Sequence, residues 1–203
     1  MVKIIKINSQ KPERKRIAEA IRVLRRGGLV IFPTDTVYGL GASIRFPKTL
    51  RKIYRIKRRS GKKPLVFLIG FKKDIGKFTD KLSNEAKRLV RDFWPGALTL
   101  VFPSKKYKTI ALRMPDHRIV LGLIRGAGPL AATSANLSGK KENVTLKAVE
   151  SQLLKEADLC IDGGKASRGR VSTVVDVINH PFQVIREGCI KEKELRERIK
   201  GKR

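Results

Sequence analysis

Short apolar runs alternate with longer amphipathic segments along almost the whole chain, and this alternation is what most constrains the fold. A run of four or five apolar residues predicts a buried strand, whereas apolar residues three or four apart predict a helix with one buried face. Predicted strands cover 29–32, 65–69, 98–102, 109–113 and 129–133, with a hairpin joining 174–178 to 182–185. Predicted helices cover 12–26, 47–57, 82–93, 116–125 and 145–155. Interspersed strands and helices predict an α/β domain with a mixed sheet flanked by helices.

The two ends of the chain carry charge rather than long apolar stretches. Residues 1–7 alternate isoleucine with charge, which predicts an edge strand and not a signal peptide. The basic tail, 191–203, predicts a charged helix or a frayed extension. No apolar run approaches the roughly 20 residues that a membrane-spanning helix needs. We therefore expect a single domain over 1–203, with no membrane attachment and a cytoplasmic location.

The loop 33–42, with the sequence PTDTVYGLGA, directly follows the first buried strand. It presents the side-chain oxygens of Thr34, Asp35 and Thr36 where that strand ends, which is where ligands bind in open α/β sheets. Its glycines allow the backbone to approach a ligand closely. The alternative is a purely structural turn of the Asx type with threonine caps.

Charge is the other strong constraint. The chain has 47 Lys and Arg against 18 Asp and Glu, a net charge of +29. A field of this sign favours polyanions such as nucleotides, RNA or anionic membranes, and we expect contact with tRNA or another RNA. The alternative is the charge-rich surface of a thermophile-like protein, but such surfaces usually balance lysine with glutamate.

Lys57 and Arg59 lie at the predicted end of helix 47–57 and are followed by Ser60 and Gly61. Arginine can hold phosphate or carboxylate oxygens with two parallel hydrogen bonds, and lysine acts as a mobile point charge. The pair therefore indicates an anion site. From the residues alone, a solvated basic turn is the more ordinary interpretation.

Two further groups of polar residues follow predicted strands. Ser134 and Asn136 come after strand 129–133, where they either bind a phosphate or cap their own loop. Arg113 ends strand 109–113 just before Met114 and Pro115. It is placed either to hold a substrate carboxylate or to remain a surface charge.

Several segments, taken in order, resemble the YrdC-like family, whose members include the threonylcarbamoyl-AMP synthases. The resemblance extends from about residue 11 to about residue 190. It rests on the loop 33–42 and on 57–65 (KRRSGKKPL), 94–100 (WPGALTL), 111–115 (ALRMP), 133–139 (TSANLSG), 172–176 (STVVD) and 185–188 (IREG).

The resemblance implies a fold and an activity. The fold is a twisted, open α/β sheet with a concave, positively charged face. The activity is L-threonylcarbamoyladenylate synthase, a nucleotidyltransferase that converts L-threonine, bicarbonate or CO2, and ATP into threonylcarbamoyl-AMP and pyrophosphate. A separate tRNA threonylcarbamoyl transferase would consume the product. Mg²⁺ is expected to arrive with ATP, because the sequence shows no carboxylate cluster and no metal site of its own.

The resemblance also assigns roles to individual positions. Lys57 and Arg59 match the family's catalytic Lys-x-Arg, and threonine contacts are expected from Thr34, Tyr38 and Arg113. Asp35 is expected to order its loop by accepting backbone N–H bonds. One position departs from some relatives, which have a histidine where this chain has Leu68. The ATP and phosphate contacts are expected from Lys57, Arg59, Ser134, Asn136, Ser172 and Arg186.

Two other functions remain open at this point. One is an RNA-binding or ribosome-associated protein that uses the basic cavity without nucleotidyl transfer. The other is carbamoyl transfer through carbamoyl-adenylate, as in related domains of larger proteins. The chain lacks the zinc-finger and acylphosphatase-like segments of those larger proteins, which argues against the last alternative.

Overall fold

The computed structural model describes residues 2–58, 60–61 and 63–200. Its ten strands form one sheet, and none of the helices in the described ranges is long and apolar enough to cross a bilayer. The strands are β1 (Lys3–Lys6), β2 (Val30–Phe32), β3 (Gly39–Ser43), β4 (Val66–Leu68), β5 (Leu98–Pro103), β6 (Thr109–Arg113), β7 (Leu130–Ser134), β8 (Leu159–Asp162), β9 (Thr173–Asp176) and β10 (Gln183–Arg186). The helices are α1 (Arg14–Arg25), α2 (Pro47–Ile56), α3 (Asn84–Phe93), α4 (Arg118–Ala127), α5 (Ser151–Glu156) and α6 (Glu192–Lys200).

The sheet is mixed and open, as predicted. Its strand order is β1-β8-β2-β3-β7-β4-β6-β5-β9-β10, so β1 and β10 are the two edges. Neighbours in β1-β8-β2, β4-β6 and β5-β9 run parallel, and the remaining neighbours run antiparallel. The hairpin predicted near the C-terminal end is confirmed as the antiparallel pair β9-β10.

Helices pack on both faces of the sheet. Along β2, Ile31 enters one apolar cluster while Val30 and Phe32 enter another, because successive side chains of a strand point to opposite faces. The cluster of Ile31 includes the buried residues of α2 and α5. The cluster of Val30 and Phe32 includes those of α1 and α4. A third cluster packs α3 and α6 against β5 and β6.

Two strands were not predicted. Strand β3 begins with Gly39 inside the loop 33–42, because a glycine-rich sequence has no strand signal of its own. Pairing with β2 and β7 on its two sides creates the strand, and the glycine is required where it lies: a Cβ on Gly39 would be 2.8 Å from the Phe32 ring. The second is β8, a short buried strand between β1 and β2.

The predicted helix over 145–155 is wrong in its first half. Leu146–Ala148 form a short 3-10 turn, and α5 begins only at Ser151. Between them, Glu150 has an extended backbone, and its carboxylate accepts hydrogen bonds from the Leu137 N–H and the Asn143 side chain. These tertiary bonds bind the segment to the loop after β7 and outweigh its helical pattern.

The C-terminal tail forms a docked helix as far as residue 200. Leu195 of α6 is fully buried in the third apolar cluster, and the Arg88 side chain of α3 donates a hydrogen bond to the Ile199 carbonyl. The structure thus selects the helix of the two predicted states of the tail.

We predict that Leu195→Ala lowers the free energy of unfolding by about 2–5 kcal/mol, because removing a buried leucine side chain leaves a cavity. Urea unfolding followed by circular dichroism measures this change. The control is Glu197→Ala on the exposed side of the same helix, with an expected change below about 0.5 kcal/mol. Equal midpoints for the two variants would show that α6 does not dock in solution.

Candidate active site

The candidate site is a pocket on one face of the sheet. This is the face that α1 and α4 also cover. Phe32, Leu68 and Ala132 belong both to the apolar cluster of that face and to the pocket wall. The predicted site residues Thr34, Tyr38, Arg113, Ser134, Ser172 and Arg186 all line this pocket. Among its described lining residues the charged groups are arginines, and none is a carboxylate.

Ser172 and Arg186 form one side of the pocket. Arg186 of β10 donates from Nη2 to the Ser172 carbonyl at 2.9 Å, and the same nitrogen lies 3.4 Å from Ser172 Oγ. The Ser172 hydroxyl is also 2.8 Å from the hydroxyl of Thr99 on β5. The arrangement presents a guanidinium next to two hydroxyls, a set of donors suited to phosphate oxygens.

Lys57, Ser134 and Asn136 meet at the end of β7, where Ser134 lines the pocket, and Lys57 and Asn136 are not among its described lining residues. Lys57 directly follows the last residue of α2 and is only 2% exposed. Its ammonium donates to the Ser134 carbonyl and lies 3.4 Å from Asn136 Oδ1. The Asn136 amide donates to the Lys140 carbonyl at 2.6 Å. Burial of a lysine in this polar cluster differs from the solvated basic turn that the sequence also allowed.

The other half of the predicted Lys-x-Arg pair, Arg59, lies outside the described residues. Its role therefore stays a prediction from the sequence.

Internal hydrogen bonds order the loop between β2 and β3. The Thr34 hydroxyl donates to the Val37 carbonyl at 2.7 Å and accepts from the backbone N–H groups of Thr36 and Val37. It is also 2.9 Å from the Thr36 hydroxyl. This is the threonine turn that the sequence offered as the structural alternative, but it forms in the wall of the pocket. The turn and part of the pocket wall are thus the same segment.

Arg113 joins this loop to the centre of the sheet. Its guanidinium donates to Asp35 Oδ1 at 2.6 Å, to the Thr36 hydroxyl at 2.9 Å and to the Gly96 carbonyl at 3.0 Å. Burial lowers the pKa of Arg113, and the Asp35 carboxylate opposes that shift. Because arginine keeps its proton in proteins, the pocket wall contains a buried cation held by three fixed acceptors.

Asp35 orders the loop through a different set of contacts from the predicted one. Its carboxylate pairs with Arg113 instead of accepting backbone N–H bonds. Its backbone carbonyl accepts from the Ser167 hydroxyl at 3.1 Å and from the Arg168 N–H at 3.0 Å. Within the described ranges Asp35 Oδ2 has no hydrogen bond, and Arg168 Nε lies 3.8 Å from it. Asp35 therefore joins the loop to both β6 and the segment before β9.

Tyr38 is one of the lining residues, and two backbone groups fix its hydroxyl. Its hydroxyl donates to the Gly164 carbonyl at 2.7 Å and accepts from the Gly163 N–H at 3.2 Å. Burial raises the pKa of Tyr38 to about 12, so the hydroxyl stays protonated at physiological pH. Tyr38 is therefore a neutral part of the pocket wall, and its position is fixed by these hydrogen bonds.

Thr99, Ser167 and Arg168 are parts of the site that sequence reasoning missed. Thr99 lies in 94–100, one of the segments that carry the family resemblance. A single threonine in an apolar strand does not by itself indicate a binding role. Ser167 and Arg168 follow two glycines in a segment without apolar periodicity, and only the tertiary structure brings them to Asp35.

The chain is similar to proteins of known family. The family model of Sua5, YciO and YrdC proteins, described as "Telomere recombination", matches residues 22–188. The threonylcarbamoyl-AMP synthase of Bacillus subtilis (strain 168) is 38% identical in an alignment 191 residues long, and the match covers 89% of this chain and 55% of that protein.

Solved structures agree with this match. The crystal structure of Pyrococcus abyssi Sua5 complexed with L-threonine matches with a TM-score of 0.87 and 35% sequence identity. The match covers 91% of the present chain and 57% of the Pyrococcus chain. The crystal structure of Escherichia coli YciO has a TM-score of 0.88 at 26% identity and covers 96% of this chain and 100% of that chain. The chain spans little more than half the length of the Bacillus and Pyrococcus relatives. These matches confirm the resemblance read from the motifs, and the chain belongs to the Sua5/YciO/YrdC family.

Proposed function

We propose that this protein is an L-threonylcarbamoyladenylate synthase, a nucleotidyltransferase that works for threonylcarbamoyladenosine modification of tRNA. The observation that carries the proposal is the pocket. Arg113, which is buried, and Arg186, which is exposed, line it together with the hydroxyls of Thr99 and Ser172. The relative from Bacillus subtilis has the name of this enzyme, and the Pyrococcus abyssi relative was crystallised with L-threonine.

The proposed reaction has two steps. The threonine amine adds to CO2 and loses a proton, which gives a carbamate. A carbamate oxygen then attacks the α-phosphorus of ATP, and the bond to the bridging oxygen breaks to release pyrophosphate. The chemistry needs no protein nucleophile. It needs alignment of two anions that repel each other, and alignment alone contributes roughly 7–11 kcal/mol in favourable cases.

The phosphate side is assigned to the residues around Ser134 and Ser172, and the sequence motif adds Arg59. Lys57, Arg59 and Arg186 supply positive charge, and hydroxyl and amide groups supply oriented hydrogen bonds. A donor that is already in place when charge develops on the transferred phosphate is worth about 3 kcal/mol. The hydrogen-bonding residues in this assignment are Ser134, Asn136 and Ser172.

The threonine side is assigned to Arg113, Thr34 and Tyr38. Asp35, Thr36 and Gly96 accept three of the five N–H groups that a guanidinium offers. The guanidinium is therefore fixed in orientation before a carboxylate arrives, and little side-chain entropy is lost on binding. Thr34 and Tyr38 form the adjoining wall, with both hydroxyls held by the protein.

The apolar part of the wall suits the threonine methyl group. Val66, Leu68 and Ala132 lie side by side there on neighbouring strands. The resemblance places a threonine-contacting histidine of some relatives at position 68. In this chain the same position adds apolar surface, so we assign Leu68 to the methyl group and not to the hydroxyl.

Mg²⁺ fits this site only as part of the ATP complex. The described lining residues offer hydroxyls, backbone groups and guanidinium groups, whereas magnesium prefers carboxylate and phosphate oxygens. When bound with ATP, the ion neutralises phosphate charge. Bicarbonate as the source of CO2, the downstream tRNA threonylcarbamoyl transferase and the cytoplasmic location remain predictions from the sequence.

Binding of RNA backbone in the pocket, without nucleotidyl transfer, is the weaker alternative. Phe32, Val66, Leu68 and Ala132 make one side of the pocket apolar. A phosphodiester backbone has no group to place there, whereas the threonine side chain does.

The double variant Lys57→Ala, Arg59→Ala is expected to lower threonine-dependent pyrophosphate release by at least 100-fold, since the loss of one such donor already costs about that much. The assay contains ATP, Mg²⁺ and bicarbonate, with and without L-threonine. The matched control is Lys48→Ala, Arg51→Ala, which removes the same charge from the exposed face of α2. Full turnover in a folded Lys57→Ala, Arg59→Ala protein would refute the assignment.

Arg113→Lys keeps the charge but removes the planar set of donors. We expect the KM for L-threonine to rise at least tenfold while the KM for ATP changes less than threefold, because one of two charge-assisted hydrogen bonds to the carboxylate is worth about 1.5–3 kcal/mol. Steady-state kinetics with each substrate varied in turn separates the two constants. If only the KM for ATP rose, Arg113 would be assigned to the phosphate side of the pocket instead.

Leu68→Ala tests the apolar wall. Each buried methylene is worth about 0.8 kcal/mol, so removal of the leucine contact should reduce the preference for threonine over serine about fourfold. The preference is the ratio of kcat/KM for the two amino acids on one preparation, so errors in enzyme concentration cancel. An unchanged ratio would place the methyl group elsewhere in the pocket.

A further inference from the structure

The outward face of α2 is a basic groove that the proposed reaction does not use. Lys48, Arg51, Lys52 and Arg55 line it together with Thr49. The helix contains no acidic residue, and its inward residues are buried in the cluster shared with α5. We call this surface the α2 groove.

The positive charge of the α2 groove is mostly not neutralised by its surroundings. Lys52 pairs with Glu156 at 3.2 Å. Within the described part of the chain, no carboxylate oxygen lies within 4 Å of a side-chain nitrogen of Lys48, Arg51 or Arg55. These three residues therefore keep their charge available for an external anion.

Helix α1, on the other face of the sheet, is basic in a different way. It contains Glu19, which pairs with Lys3 of β1, and it follows Glu13, which pairs with Arg16. The Arg25 guanidinium is committed to the Gly126 carbonyl. Arg16 and Arg25 of α1 thus have partners within the protein, whereas four cations of α2 line one common groove.

The basic surface continues from the α2 groove towards the pocket. The N–H and hydroxyl of Ser138 both donate to the Lys57 carbonyl at the end of α2. This contact brings the loop after β7, with the exposed Lys140 and Lys141, beside the end of the helix. Cations therefore extend from Lys48 along the helix to the neighbourhood of the phosphate side of the pocket.

We propose that the α2 groove binds the phosphate backbone of RNA. From Lys48 to Arg55 the helix rises about 10 Å, at 1.5 Å per residue. The three unpaired cations spread over that length can each contact a phosphate of the same strand. Arginine favours phosphate because its planar donors match two oxygens at once.

A membrane surface fits this face less well. Helices that bind bilayers insert large apolar side chains from the same exposed side that carries their basic residues. Among the described residues the large exposed apolar side chains are Ile4, Phe71, Tyr107 and Ile185, and none belongs to α2. The inference goes beyond the proposed function, because RNA is not a reactant in that chemistry, and only the choice of tRNA as probe rests on it.

The test compares two variants with the same loss of charge. Lys48→Gln, Arg51→Gln, Arg55→Gln removes three charges from the α2 groove. Arg14→Gln, Lys15→Gln, Arg22→Gln removes three from exposed positions of α1 on the opposite face. Glutamine keeps helix propensity close to that of the residues replaced. Binding of a labelled, unmodified tRNA transcript is followed by fluorescence anisotropy between about 50 and 200 mM salt.

We expect the α2 variant to bind at least tenfold more weakly than the wild type, and the α1 variant less than threefold more weakly. The slope of log affinity against log salt should fall by about two in the α2 variant alone, since each lost phosphate contact removes roughly 0.7–0.9. Equal losses in the two variants, or no loss in either, would overturn the proposal.

Two controls separate this proposal from others. Threonine-dependent pyrophosphate release should be unchanged in both variants, so a protein without turnover that still shows the α2-specific loss would contradict the proposed function and leave the RNA surface standing. Vesicles containing phosphatidylserine are the second probe. If the α2 variant lost affinity for vesicles and none for tRNA, the groove would be a membrane surface and the RNA proposal would be wrong.

Discussion

The buried ion pair between Asp35 and Arg113 is the interaction on which the site depends. It joins the loop after β2 to the end of β6, two strands that are separated in the sheet by β3, β7 and β4. The carbonyl of the same aspartate holds the segment before β9. Three parts of the chain that are distant in sequence therefore meet at one carboxylate and one backbone carbonyl. Removing one partner of such a pair leaves an uncompensated buried charge, which typically costs 3–5 kcal/mol.

The pair also limits what the pocket can bind. The Asp35 carboxylate partly neutralises the charge of Arg113. An incoming carboxylate therefore meets oriented N–H donors and not an unshielded cation. On the other side, Lys57 is buried among backbone and amide oxygens. Both cations were fixed during folding, and their desolvation was compensated then by internal acceptors. A ligand anion therefore does not have to order them when it binds.

Much of this could be predicted from the sequence, and the failures have physical causes. The buried strands and amphipathic helices were found because their periodicity is local. Most of the predicted site residues line one pocket, because several of them lie at or just after the ends of strands that border it. Strand β3 was missed because its pairing partners, not its own residues, make it a strand. Arg168 was missed because its significance lies in a contact with Asp35, more than a hundred residues away.

Arg186 lies on β10, which is an edge of the sheet, whereas Arg113 and Ser134 end central strands. The pairing of β10 with β9 is interrupted by a bulge between Val184 and Arg186, and Ile185 is 61% exposed. An edge strand with one neighbour opens at lower free energy than the strands inside the sheet. One part of the pocket wall thus belongs to an edge of the sheet, and another part to its centre. An anion held by Arg186 adds its binding free energy to the stability of that edge, so occupancy of the pocket and closure of the sheet margin are thermodynamically linked.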